Sequence, residues 1–368
     1  MSENFYNKDY GDYFRELERK NETAEQINKP KETYPPKERS SAVKRQAVSR
    51  KMLAFTAVFI ALIITVISVA LVLDGANDPA VEDTKNNPAN TTTPVIKNPY
   101  TPAKITAATK DPGEAIGSKH IIMVDLKTNN AILARSHNER TSPASTTKIM
   151  TVLVAAENIT DYTETFTMTR EITDKAYLAE ATAAGFSVGE QVTMTDLLYG
   201  TILPSGADAA LGLAYKIAGS EETFVKLMNK KVKDLGLKNT NFTNVTGLYD
   251  KNHYSTVSDM AVILKAAMNN EICRQVLMAH PYTTAKNNYH PEGITLQSTL
   301  FSSMYGTEPQ TATIIGGKTG FVNQSGFCIA SFGFANDSKN EYICVTFGAA
   351  SKWPSVNDQI NLYSTYAK

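Results

Sequence analysis

The chain has 368 residues, enough for one or two ordinary domains with a sizeable core. Its 37 basic and 37 acidic residues balance, so no global field favours nucleic acid as a partner. Cys273, Cys328 and Cys344 are too few and too scattered for a disulfide framework or a zinc site.

Residues 1–51 are rich in Lys, Glu, Asn, Arg and Tyr and poor in large aliphatics, the composition of a disordered tail. Met52 to Leu73 follows as 22 residues without charge, Pro or Gly, a length that spans the hydrocarbon core as a helix. A cleaved signal peptide is the competing reading. The long region before the span and the length of the apolar run favour an uncleaved transmembrane signal anchor over residues 52–73. Lys37, Arg39, Lys44, Arg45, Arg50 and Lys51 precede it, whereas Asp74, Asp78, Glu82 and Asp83 follow it. The positive-inside rule then places the tail in the cytoplasm and the rest of the chain outside the cell membrane. Residues 74–115, with six prolines among Asn, Thr, Ala and Asp, read as an extracytoplasmic linker.

A folded domain is expected over 116–368. Ile121–Leu126 and Ala131–Ala134 flank Lys127-Thr128-Asn129-Asn130 and predict a hairpin. Ser142 to Thr151 opens an apolar helix. The polar region 160–193 shows short alternating runs consistent with small strands. Helices are expected at Thr195–Leu203, Ala207–Ala218, Glu221–Leu235, Ser258–Met268 (capped by Ser255 or Ser258) and Ser355–Tyr366. Strands are expected at Thr313–Gly316, Gly326–Phe334 and Glu341–Phe347. Strands at both ends with helices between them predict an α+β domain, an antiparallel sheet assembled from both ends of the domain with a helical cluster packed on it. Cys328 and Cys344 fall on adjacent strands, so a bridge is conceivable, with buried free thiols the simpler reading.

Three short motifs carry the chemistry. Ser145 and Lys148 are three apart at the start of an apolar helix, so both lie on one face and the amine reaches the hydroxyl. A hydroxyl needs a neighbouring base to act as a nucleophile, and a buried lysine with a lowered pKa can be one. Free N–H groups at the helix start suit an oxyanion. Alone the pattern is weak: Ser41 and Lys44 repeat it in a charged stretch with no apolar helix behind it. The second motif is Ser205 in Leu203-Pro204-Ser205-Gly206-Ala207, and the third is Lys318-Thr319-Gly320 at the end of an apolar strand. The order Ser-x-x-Lys, Ser-Gly-x, Lys-Thr-Gly is that of the penicillin-interacting serine enzymes.

The region from about residue 116 onward resembles the serine-type D-alanyl-D-alanine carboxypeptidases, the low-molecular-mass penicillin-binding proteins. Leu203–Ala210, Asn241–Leu248, His253–Thr256 with Asp259-Met260-Ala261, and Gly317–Phe321 all look like segments of that family. The resemblance implies a penicillin-binding, β-lactamase-like transpeptidase fold and a peptidase acting on peptidoglycan stem peptides that end in D-Ala-D-Ala. It implies Ser145 as nucleophile, Lys148 as base, Ser205 as proton relay, and Lys318 with Thr319 holding the substrate's terminal carboxylate. It also implies Gly320 and Phe321 as substrate-binding residues, and the N–H groups of Ser145 and Phe321 would form the oxyanion hole. β-Lactams would acylate Ser145. No cofactor is implied.

Two departures stand out: Ala207 replaces the family's usual asparagine in the second motif, and Val322 stands where threonine is frequent. A β-lactamase is disfavoured because no glutamate-leucine-asparagine loop lies between Ser205 and Lys318. A weakly active module that binds penicillin and wall peptides rests on Ala207 alone. A Ser-His-Asp hydrolase lacks its Gly-x-Ser-x-Gly elbow. His120, His137, His253, His280 and His290 show no metal-ligand spacing and read as structural or surface residues.

Overall fold

The computed structural model describes residues 100–368; the tail, the apolar span 52–73, Ser41 and most of the linker lie outside the described residues. Its frame is a five-stranded antiparallel sheet in the order β2-β1-β9-β8-β7. The first two strands are β1 (His120–Asp125) and β2 (Asn130–Arg135), and the last three are β7 (Ala312–Val322), β8 (Gly326–Ala335) and β9 (Glu341–Ala349). β1 joins β9 in register from His120↔Phe347 to Asp125↔Tyr342, so the two ends of the domain close one sheet, as the sequence predicts. Period-2 alternation gives each strand two apolar faces. Ile121, Met123, Ile329 and Cys344 face the C-terminal helix Lys352–Tyr366, packing with its Val356, Leu362 and Tyr363.

The helical cluster covers the other face. Its central member, α1 (Lys148–Asn158), is buried at every position from Lys148 to Ala156, which is why its sequence is apolar all round. Around it lie α2 (Arg170–Leu178), α3 (Met194–Ile202), α4 (Ala207–Ala218), α5 (Glu221–Asp234), α6 (Val257–Asn269) and α7 (Glu271–Met278). The short α8 (Thr299–Met304) follows, and the C-terminal helix is α9. α6 lies against β1 and β9. Thr256 caps it by accepting from the Asp259 N–H, in place of the expected Ser255 or Ser258.

The polar region 160–193 holds a small sheet, β3 (Thr165–Thr167) with β4 (Gln191–Thr193), and also α2, which has only Ile172 and Ala176 buried and so little apolar periodicity to read. Another pair, β5 (Tyr282–Thr283) with β6 (Thr295–Leu296), completes the strands. Ordered pairing begins before the expected domain start at residue 116: Lys104 and Lys110 bridge to Asn130 and Leu133 of β2. Cys328 and Cys344 are buried free thiols, as is Cys273. Cys328 stands opposite Phe347, and Cys344 opposite Ser331, so the two cysteines are out of register for a bridge.

Candidate active site

Ser145 sits on a single 3-10 turn, Ala144–Thr147, that runs directly into α1. In that tighter helix residues i and i+3 eclipse one another, which sets Lys148 directly beneath Ser145. Lys148 Nζ lies 3.1 Å from Ser145 Oγ and donates to the Thr246 carbonyl at 2.6 Å. Lys148 is only 2% exposed, and burial pushes its amine down to about 7, against the pull of the Asp208 carboxylate toward the charged form. The expected contact between the Lys148 amine and the Ser145 hydroxyl is therefore present.

Two backbone segments are pressed against this turn. Asn244 Oδ1 accepts from the N–H groups of Thr246 and Gly247, a local turn that aims the Thr246 carbonyl at Lys148. Gly247 has φ +85°, and a Cβ there would stand 1.9 Å from the Ala144 oxygen. On the opposite side, a Cβ on Gly320 would fall 2.7 Å from the Ser145 nitrogen. Only glycine lets β7, the edge strand, come so close to Ser145. Ala144 (φ +48°) and Ser205 (φ +68°) are both held in the left-handed region, where a side chain is strained. Such strain persists only where the surroundings enforce it, as at active sites.

Ser205 joins α3 to α4 and lines the same cleft, of about 390 Å³, as Ser145, Lys148, Thr319, Gly320 and Phe321. Lys318 is not at its surface. It is 1% exposed, its Nζ donates to the Thr319 carbonyl at 2.9 Å, and burial, reinforced by the charge of Lys148, pushes its pKa well down. Of the expected carboxylate-binding pair, only Thr319 reaches the cleft, with Lys318 packed behind it. Phe321 is half exposed and packs on Phe327, with ring centroids 4.4 Å apart.

The model of the D-alanyl-D-alanine carboxypeptidase family matches residues 105–351, from before Ser145 to beyond Lys318-Thr319-Gly320. The chain belongs to the D-alanyl-D-alanine carboxypeptidase family. It is 32% identical over 240 residues to the carboxypeptidase DacF of Bacillus subtilis, covering 64% of this chain and 58% of DacF. It is likewise 32% identical over 177 residues to DacC of Escherichia coli, covering 46% of this chain and 44% of DacC. The chain thus spans about half the length of these curated relatives. The crystal structure of the Streptomyces K15 DD-transpeptidase superposes with a TM-score of 0.60 at 28% identity, over 69% of this chain and 98% of that one.

Within this carboxypeptidase family fold, Ala207 opens α4 as a buried residue whose N–H donates to the Thr182 carbonyl at 2.7 Å. Its methyl group offers Lys148 no hydrogen bond. Asp208 beside it accepts from the N–H groups of Ala184, Gly185 and Phe186, shaping the loop that forms one wall of the cleft.

Several supporting residues escape the sequence reading. Thr299 N donates to the Leu203 carbonyl at 3.0 Å, and its hydroxyl meets that of Thr319 at 2.7 Å, so α8 ties the Ser205 loop to β7. His253, assigned above to structure or surface, lies buried against the Ala144–Thr147 turn. Its Nδ1 accepts from the Thr243 N–H, so Nε2 carries the proton and donates to Thr147 Oγ1 at 2.8 Å. Burial pushes its pKa down to about 4, keeping it neutral beside Lys148. Family segments pointed to Asp208 and His253 without giving either a role. Thr299 left no local signal. Among the described residues no cluster of His, Cys, Asp and Glu could hold a metal ion.

Proposed function

We propose that the chain is a membrane-anchored serine D-alanyl-D-alanine carboxypeptidase that removes the terminal D-Ala from peptidoglycan stem peptides. The observation that carries the proposal is the buried Lys148 amine, lowered to about 7 and 3.1 Å from Ser145 Oγ at the floor of an open cleft. Lys148 takes the hydroxyl proton as Ser145 Oγ attacks the carbonyl of the penultimate D-Ala. The N–H groups of Ser145 and Phe321 receive the oxyanion, each such donor being worth roughly 3 kcal/mol in the transition state. The proton held by Lys148 passes through the Ser205 hydroxyl to the leaving amine, the peptide C–N bond breaks, and D-Ala departs. Water then hydrolyses the Ser145 ester, with Lys148 again accepting the proton. Thr319, backed by Lys318, orients the substrate's terminal carboxylate.

β-Lactams fit the same course, since opening their strained amide leaves an ester on Ser145. The uncharged Met52–Leu73 segment and its basic flank support a single-pass anchor with a cytoplasmic tail, holding the domain outside the membrane where wall peptides lie. The test is release of free D-Ala from diacetyl-Lys-D-Ala-D-Ala by the full chain in detergent, alongside the fate of a penicilloyl adduct. D-Ala release with a slowly cleared adduct is the expected result. Rapid penicillin turnover would instead indicate a lactamase, and an adduct without D-Ala release a binding module weakened by Ala207.

A further inference from the structure

The wall of the cleft contains a residue that breaks two local rules. Helix α2 ends in a Schellman motif: Ala181 N donates to the Ala176 carbonyl at 3.1 Å, and Glu180 N to the Tyr177 carbonyl at 3.0 Å. Glu180 therefore holds the left-handed position of that motif, with φ +49°, where glycine is the favoured residue. It also sets a negative charge at a helix C-terminus, the end of the macrodipole that favours cations. Neither choice helps the fold. The carboxylate makes no ion pair or hydrogen bond among the described residues, and the residue is exposed. Glu180, Ala181 and Thr182 line the active-site cleft, next to the loop that Asp208 and Ala207 anchor.

The charged residues of that lining are only three: Lys148 at the nucleophile, Glu180 on the Ser205 side, and Lys352 at the start of α9. Lys352 and the Thr319 hydroxyl suit a substrate's terminal carboxylate, whereas Glu180 repels it and suits a cation carried elsewhere on the substrate.

We propose that Glu180 is a specificity residue that selects peptides carrying a primary ammonium, such as a free lysine side chain, in the acyl part ahead of D-Ala-D-Ala. The inference rests on the carboxypeptidase reading of the site. Peptides whose amine has been acylated, as in a cross-link, would be poorer substrates. The contact lies at a solvent-open cleft, so salt weakens it.

The test compares two peptides on the full chain in detergent: diacetyl-Lys-D-Ala-D-Ala, whose side-chain amine is blocked, and the monoacetyl peptide with that amine free. Wild type is expected to favour the free amine about tenfold in kcat/KM, mostly through KM, with the preference shrinking at high salt. Glu180→Gln should bring the ratio close to one. Glu180→Gly removes the carboxylate and suits the left-handed backbone, so it should abolish the preference while raising Tm, a result that loss of folding cannot imitate. An unchanged ratio in both variants, or no preference in wild type, would overturn the proposal. Benzylpenicillin acylation of Ser145, measured on the same preparations, reports separately on the nucleophile. If that fails too, the carboxypeptidase reading is at fault and not the role of Glu180. Calorimetric binding of both peptides to Ser145→Ala gives the same ratio without turnover.

Discussion

Burial lowers the Lys148 amine from its usual 10.5 to about 7, with Asp208 opposing the shift. That value makes it half deprotonated near neutrality, which suits a general base. Acylation of Ser145 by penicillin should therefore rise with pH through about 7 and then level off, and Lys148→Met should lower it by about 10²–10⁴-fold in stopped-flow measurements. The same shift carries a stability consequence. Between the folded value near 7 and the unfolded 10.5 the unfolded chain holds a proton that the folded chain lacks. Stability thus rises with pH across that window, and below 7 the destabilisation is fully present. At about 1.4 kcal/mol per unit it amounts to a few kcal/mol. Lys148→Met should accordingly raise Tm at pH 6 and lose that advantage by pH 10, as calorimetry would show. A buried amine that costs the fold stability fits the proposed role of Lys148 as base.

At the scale of elements, the site depends on how closely β7 and the Asn244–Leu248 turn approach the 3-10 turn. Gly320→Ala puts a methyl group 2.7 Å from the Ser145 nitrogen and must push β7 away from Ser145. Acylation should fall about a hundredfold while circular dichroism still reports a folded protein. Gly247→Ala meets the Ala144 oxygen at 1.9 Å and requires φ +85° as well, so it should cost about 3 kcal/mol or more in urea denaturation.

What the sequence disclosed follows the range of the interactions. Ser145 and Lys148 are legible because one turn of helix joins them, and the five strands of the main sheet because apolar runs and turn residues mark them. α7 and α8 were not legible: they have 8 and 6 residues, too short for a clear period, and depend on the Asn270 and Ser298 caps and on tertiary packing. The strand expected to end at Gly316 continues to Val322, because β8 pairs with it along Lys318-Thr319-Gly320. Burial of Lys318 was likewise hidden, since only the folded sheet shows which side of the strand the amine takes.

For the whole molecule, one buried carboxylate joins the two ends of the domain. Asp358 of α9 accepts from Gly117 N at 3.1 Å, Ser118 N at 2.7 Å and Ser118 Oγ at 2.6 Å. Asp358→Ala strands these donors beside the strand that closes the sheet and should cost about 3 kcal/mol in chemical denaturation. The proposed anchor makes a separate prediction: the full chain should sediment with membranes, and deletion of residues 52–73 should release an active domain. Sedimentation of the deleted form with membranes would remove the apolar segment's role.

The most direct test of the central claim is intact-mass spectrometry of the full chain after brief exposure to benzylpenicillin, for wild type, Ser145→Ala and Lys148→Met. The account predicts one penicilloyl group on wild type, mapped to Ser145, none on Ser145→Ala, and far slower labelling of Lys148→Met. An adduct that persists in Ser145→Ala, or labelling of Lys148→Met at the wild-type rate, would contradict it.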